Sequence, residues 1–414
     1  MKILRHSFSF IVFFSFFTIA LLFIAYAAFS AEITLDDCRA LGLPVLTIET
    51  EGAKKIKSKE KYLNAQYVLI DEATGEESFG ACKIRGRGNT TWQTRELYKK
   101  PYLLKLGEKK SLLGLPAAEK WVLMANTADK TQLRNFYAEY LASRVWNSLP
   151  WTPKSRYISL FVNGQYNGLY QIYEKIEAVS GRVPVDENDG SFVFAVNSRL
   201  NKEWNFTSEH GVRFSIRTTI HADENEMKRR ESIVRLAEEK LFSSSLEMFD
   251  VSSFAEWYLI NELTKNHDAN FGSSCYLYYD SKLNKIFMGP AWDFDIAAGN
   301  ISWDDCDKPE GFWIKNAVWY EALFENPAFK ELVKQKWREK REAVTASFDF
   351  IQQEASSLKA AVLLNDAVWK NIGHRQWPHA PGWKKRKTYE SEVEYMIDFL
   401  KKRSQWLDSA LFSL

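Results

Sequence analysis

The chain has 414 residues, 55 of them basic and 53 acidic, and aromatic side chains make up 15% of it, with 15 Trp. Lys2 and Arg5 belong to an N-terminal leader, so the remainder carries 53 basic residues (55 − 2) against 53 acidic ones. That balance excludes the broad field by which proteins bind nucleic acid or anionic membrane, and the short basic run KKRK, residues 384–387, reads as solvated surface. The length and aromatic content fit one large domain or two lobes around a substantial core, and no repeat or low-complexity tract interrupts it.

In chain order, Lys2, Arg5 and His6 precede an apolar run over residues 8–28, the layout of a secretory signal over residues 1–30. Ala28 and Ser30 supply a small-x-small cleavage site. The alternative is an uncleaved anchor, and only through that segment is membrane contact expected. Cys38, Cys82, Cys275 and Cys306 all follow the leader. Their even number in an oxidising compartment suggests disulfides, by chain order Cys38 with Cys82 and Cys275 with Cys306, with free buried thiols as the alternative. The absence of CxxC argues against a thiolate zinc site.

Residues 31–177 read mainly as strands. LPVLTIET, KYLNAQYVLID, ACKIRGRG and KKPYLLKL are β-leaning segments separated by turn residues. A helix follows, in which Leu133, Phe136, Tyr137, Tyr140 and Leu141 recur at helical spacing and Asp129 is placed to cap. RYISLFVNGQYNGLYQIYE then predicts two strands joined at Asn163 and Gly164, which tolerate the positive φ of a tight hairpin. From about Glu177 turn residues and mixed segments mark a boundary. Over residues 178–414 helices dominate, in ESIVRLAEEKLF, SSFAEWYLINELTKN, NPAFKELVKQKWREKREAV and ESEVEYMIDFLKKRSQWLDSAL. The exception is SCYLYYDSKLNKIF, two short β-leaning runs lying between NHDAN and WDFD.

Those last two segments carry the chemistry. In GPAWDFDIAAGN, Asp293 follows Trp292 at the edge of an apolar run, where a carboxylate can ligate a hard cation such as Mg²⁺; Asp295 can share that ion or cap the following turn. Asp268 lies 25 residues upstream (293 − 268) on a polar loop and can orient or deprotonate a hydroxyl. Its neighbour His267 reads as structural. The turn RGRGNTTW lets backbone N–H groups approach an anion at Gly88, with Arg87 adding charge. Lys100 and Lys105 lie on one strand beyond it, and Glu139, inside the helix, can pair with one of them. A serine or zinc hydrolase lacks its motifs: there is no GxSxG or HExxH, and the six His are scattered. A two-carboxylate glycosidase is not excluded by residue types.

The blocks KIRGRGNTTW, KKPYLLKL, KWVLMANTADKTQLRNFYAEYLA, YISLFVNGQYNGLYQIYEKIE, LTKNHDANF and GPAWDFDIAAGN, in this order, resemble the spore-coat protein H (CotH) kinase family. The resemblance implies an α+β, two-lobed protein-kinase-like fold, with a β-rich N-lobe holding one main helix and a mostly helical C-lobe. It also implies ATP and Mg²⁺ as cofactors, and protein Ser or Thr hydroxyls as acceptors. Carried onto this chain, Asp268 takes the catalytic-loop role and Asp293 the metal-binding role. Arg87, Gly88 and one of Lys100 and Lys105 cover the phosphates, Glu139 is the ion-pair partner, and Glu174 lies near the adenine. Where family members place a metal-binding Asn about five residues after the catalytic Asp, this chain has Ser273 and Ser274, leaving Asn270 or a serine hydroxyl as substitute. The expectation is an exported bacterial kinase, periplasmic, secreted or surface-associated. The competing readings are a surface or adhesion protein with little catalysis, and transfer of AMP rather than phosphate.

Overall fold

The computed structural model describes residues 32–95, 97–197 and 203–414; the leader over residues 1–30 lies outside them. Seven strands close a barrel: β1 (Val45–Thr50), β2 (Leu63–Asp71), β3 (Glu76–Gly86), β4 (Tyr102–Leu112), β5 (Leu115–Met124), β6 (Ser155–Val162) and β7 (Gln165–Glu174). Their order around the barrel is β1, β2, β3, β4, β5, β7, β6. All neighbours are antiparallel except β1 and β6, whose parallel pairing of Val45 with Ser159 closes the ring. Strict alternation explains the inside. β2 buries Ala65, Tyr67 and Leu69 while Asn64, Gln66 and Val68 face out. Leu46, Ile84, Leu104, Trp121, Leu160 and Ile172 complete this filling. Asn163 (φ 51°) and Gly164 (φ 73°) turn the hairpin between β6 and β7 as their sequence requires.

Helices α1 (Leu35–Arg39) and α2 (Thr90–Gln93) are short, and α3 (Arg134–Tyr140) continues through a wider π turn to Val145. Leu133, Tyr137 and Leu141 are fully buried, which is the apolar stripe read from the sequence. Asp129 is not its N-cap. It sits five residues before Arg134, pairs with that guanidinium, and accepts the Arg134 N–H at 2.8 Å.

The second half corrects the expected fold. A second sheet is made of β8 (Phe192–Val196), β9 (Trp204–Thr207), β10 (Arg213–Arg217), β11 (Cys275–Asp280) and β12 (Lys285–Met288), in the order β12, β11, β8, β10, β9. A closed seven-stranded barrel beside a five-stranded sheet is not a two-lobed protein-kinase-like fold with a mostly helical C-lobe. The sequence signal was faint because β8 is buried at all five positions and so shows no alternation, while β9 has only four residues. Around the sheet pack α4 (Glu224–Phe242), α5 (Val251–Thr264), α6 (Val318–Glu325), α7 (Pro327–Trp369) and α8 (Tyr389–Ala410). α5 is buried continuously over residues 253–264 and forms the centre of the largest apolar cluster, with Trp319 and Trp337 from α6 and α7. Among the described residues, no helix is long and apolar enough to cross a membrane.

A separate cluster joins the barrel's outer wall to this sheet: Leu103 and Val122 from β4 and β5 meet Val193, Ala195 and Tyr276 from β8 and β11. All four cysteines are free and buried. They lie in four different apolar clusters, so the pairings suggested by chain order are not formed. In KKRK the lysines are exposed, whereas Arg386 is buried against Glu392 at 2.7 Å.

Candidate active site

Where the barrel wall meets the second sheet, the apolar contact opens into a cleft of about 740 Å³. Leu103, Val122 and Met124 line it from the barrel, and Ala195, Val196 and Tyr276 from the sheet. Ile176, just beyond β7, and Trp292 extend the apolar lining. The polar lining carries charges of both signs. Asp268, Asp293 and Asp295 share the cleft with Arg85, Arg87 and Arg217.

Asp268 is set by the end of α5. The helix stops at Lys265, in the left-handed region at φ 46°, and its ammonium donates to the carbonyls of Asp305 and Lys308 at 2.9 Å each. The chain then makes one 3₁₀ turn, His267–Ala269, that presents Asp268 half-exposed. Asn266, between them, donates its carboxamide to Asn261 Oδ1 (3.1 Å) and to the Asp293 carbonyl (3.3 Å), tying the two acidic loops together. His267 Nε2 is 2.8 Å from Asp304 Oδ2, and Nδ1 is 3.5 Å from Asp268 Oδ1. Burial opposes a charge on this ring, but bonds to the two carboxylates outweigh it and raise its pKa.

Asp293 has φ 70°, a left-handed conformation that Asp tolerates better than most residues. Ser274, itself at φ 57°, donates its hydroxyl to Asp293 Oδ2 at 2.7 Å and fixes that carboxylate's direction. Asp295 is strongly perturbed. Burial, and then the charges of Asp293, Asp268 and Asp129, push its pKa well above the usual carboxylate range.

Opposite lies the turn RGRGNTTW, whose two glycines serve different ends. A Cβ on Gly86 would fall 2.2 Å from the Trp92 ring, so Gly86 exists to seat that indole. Gly88 has φ 88°, and a Cβ there would meet Thr91 Oγ1 at 2.4 Å. Lys59, from the segment before β2, reaches the turn with Nζ 3.1 Å from Asn89 Oδ1. Arg87 lies over the Trp292 ring at 5.8 Å. Burial lowers its pKa, Asp293 pulls it back up, and Arg217 and Arg85 depress it further. Arg217 in turn rests on the Tyr276 ring at 4.7 Å.

The structure therefore brings Asp268, Asp293, Asp295, Arg87 and Gly88 to one cleft, and leaves Lys100, Lys105, Glu139, Glu174 and Asn270 out of its lining. Lys100 donates to the Thr94 carbonyl at 3.0 Å, at the end of α2. Lys105 lies in a separate outer groove of the barrel, 3.8 Å from Glu119. The buried lysine of KKPYLLKL is Lys99, which donates to the carbonyls of Ala125 (2.9 Å) and Leu169; burial holds its pKa well below normal. Glu139 accepts the Ser155 N–H (3.1 Å) and hydroxyl (2.5 Å) rather than a lysine, and burial raises its pKa to about 7. Glu174 accepts the Lys154 N–H at 2.9 Å, while the next two residues, Lys175 and Ile176, do line the cleft. Ser273 and Ser274 line it where Asn270 does not. Sequence reasoning missed Arg217, which ends a buried strand with no motif around it, and the link from His267 to Asp304, 37 residues apart.

The cleft thus sets three half-buried acids opposite the arginines of a glycine-bearing turn. A family model described as CotH kinase protein matches residues 84–407, most of the chain, and the chain belongs to the CotH kinase family. No curated protein matches it.

Proposed function

We propose that the protein transfers the γ-phosphoryl group of ATP to Ser or Thr hydroxyls of proteins. The observation that carries this is the single cleft in which Arg87 and Gly88 face Asp293 and Asp268 beside an apolar slot. The slot between Leu103, Val122 and Ala195 suits a purine, and Arg87 with the backbone at Gly88 suits the phosphates.

The donor set also fits Mg²⁺. Among the described residues no group of three His, Cys, Asp or Glu forms a complete metal site. Magnesium is usually held by one or two carboxylates, with water and phosphate oxygens completing its shell. Asp293 and Asp295 would be those carboxylates; burial raises the Asp295 pKa first, and the carboxylate repulsion that adds to it would be relieved by a cation. Bound Mg²⁺ would neutralise charge on the phosphates. Asp268 orients the acceptor hydroxyl and takes its proton as the new O–P bond forms and ADP departs. Ser274 keeps Asp293 directed, and Trp292 with Tyr276 limits water in the slot. The signal-like apolar run over residues 8–28 is the ground for proposing that it acts outside the bacterial cytoplasm.

A melting experiment tests the reading. ATP with Mg²⁺ should raise the melting temperature, by about 2.7 kcal/mol of stabilisation at a hundredfold excess over Kd. Arg87→Gln should lose the rise and Lys105→Gln should keep it. No rise for the unaltered protein at millimolar ATP would favour a surface or adhesive role. Incubation with acceptor proteins and α- or γ-labelled ATP separates the chemistries: label arriving only from the α position would establish AMP transfer instead.

A further inference from the structure

The carboxylate loop is held by a line of buried polar side chains that runs back to the barrel strands β6 and β7. The Phe294 N–H, between Asp293 and Asp295, donates to Asn135 Oδ1 at 2.8 Å. A backbone N–H can only donate, so this bond fixes which end of the Asn135 carboxamide is oxygen. Asn135 Nδ2 must then donate onward, to Asn126 Oδ1 (3.0 Å). Asn126 Nδ2 donates to Gln171 Oε1 (2.5 Å), and Gln171 Nε2 to Ser155 Oγ (3.1 Å). The Ser155 hydroxyl ends the line on Glu139 Oε2 (2.5 Å).

Every donor points the same way, from the loop toward the Glu139 carboxyl, and each amide orientation follows from the one before, beginning at the Phe294 N–H. Asn126, Asn135, Ser155 and Gln171 are all at most 6% exposed. Burying four polar side chains in an apolar surround costs stability unless each is bonded, and apolar residues of the same shape would pack here without that demand. What the polar chain adds is a single geometry. Next to Asn135, Arg134 donates to the carbonyls of Ala297 (2.9 Å) and Ala298 (3.2 Å), holding the other end of the same loop.

We propose that Asn135 is a positioning residue for the cation-binding carboxylates, locked by Asn126, Gln171, Ser155 and Glu139, so that the barrel strands β6 and β7 set the aim of Asp293 and Asp295. The functional part of this rests on reading those two acids as the Mg²⁺ ligands; the positioning part does not.

The test compares Asn135→Ala and Gln171→Ala with Ser347→Ala, which removes the partner of the Tyr137 hydroxyl (2.8 Å) from another side of α3. The first readout is amide hydrogen exchange over residues 291–298 in the unliganded protein. Exchange there should speed up in Asn135→Ala and in Gln171→Ala, and stay slow in Ser347→Ala. The two effects should not add in the double variant, because both break one chain. The second readout is ATP affinity with and without Mg²⁺. Affinity for the Mg²⁺ complex should fall roughly 10- to 100-fold in Asn135→Ala, the usual cost of losing a group that orients a ligand, while cation-free ATP binding is retained. Unchanged exchange in both variants overturns the proposal, as does equal loosening in Ser347→Ala. A response confined to Asn135→Ala overturns the role of the chain behind it. If Asn135→Ala does not fold, Gln171→Ala decides alone. If the unaltered protein binds no ATP, the nucleotide reading fails while the exchange data still judge the positioning.

Discussion

The two charged faces of the cleft hold their charges on different terms. On the glycine-bearing turn, burial and the neighbouring Arg217 and Arg85 work against the charge on Arg87, Asp293 across the gap supports it, and its guanidinium is further placed by Trp292. On the acidic side, burial works against the charge on Asp295, and the carboxylates of Asp293, Asp268 and Asp129 add to that cost. The turn therefore has an opposite charge across the cleft to support it, whereas the carboxylates add repulsion to the cost of burial. A site that stored no tension would gain little from a cation, so the contrast indicates which face ligand binding relieves.

Three experiments break or sharpen that contrast. The largest effect is expected for Asp268→Asn, which keeps the shape of the loop and removes the proton acceptor. Turnover should fall roughly 10²- to 10⁴-fold while ATP binding with Mg²⁺ is kept, as measured by label transfer and calorimetry. Loss of binding instead would move Asp268 into the cation site.

The next concerns Glu139, whose pKa is raised by burial against the pull of Ser155, and thus for a different first reason than any like charge. Its folded pKa of about 7 exceeds the ordinary value of 4.5, so the folded protein binds this proton more tightly than the unfolded chain. The stability it contributes is full below about pH 4.5 and is lost as pH rises through 7, by up to about 2 kcal/mol after allowing for partial exposure. Urea melts at pH 5.5 and pH 8 should show this loss, and Glu139→Gln should shrink the difference between the two. An equal difference in the variant would assign the pH response elsewhere.

The smallest effect is expected for Asp295→Asn, which removes one of the repelling charges at nearly constant shape. The unliganded protein should gain about 1 kcal/mol, and the stabilisation by ATP with Mg²⁺ should shrink. A lower melting temperature without ligand would mean that the acidic face is not in tension.

Much of the local structure was legible because its causes are local. Asn163 and Gly164 announce a hairpin, and the runs at β11 and β12 are rich in β-leaning residues on either side of a polar turn. The order of the acidic loops also placed Asp268 and Asp293 usefully, since both flank the same hairpin. The second sheet was not legible, because a strand buried on both faces looks like any apolar run until its partners are known. The lysines show a subtler limit. Lys105 shares an outward face with Leu103, as alternation requires, and Leu103 does line the cleft. Two residues along a strand is about 7 Å, enough to carry Lys105 off the cleft into another groove. Periodicity gives the side of a sheet, not the position of a hollow upon it. Cysteine parity misled for a similar reason: an even count says nothing about which clusters the thiols join.

The closure of the barrel through β1 and β6 leaves that ring without a free edge, so its backbone offers no template to another chain. The edge strands belong instead to the second sheet, β9 and β12, and at β12 the Ile286 N–H already donates to the Met248 carbonyl at 2.7 Å while its carbonyl accepts the Asp250 N–H at 2.8 Å. Each of the two strands is four residues long. Strands so short give an incoming segment few rungs to climb, and self-association by strand addition is accordingly discouraged throughout the fold.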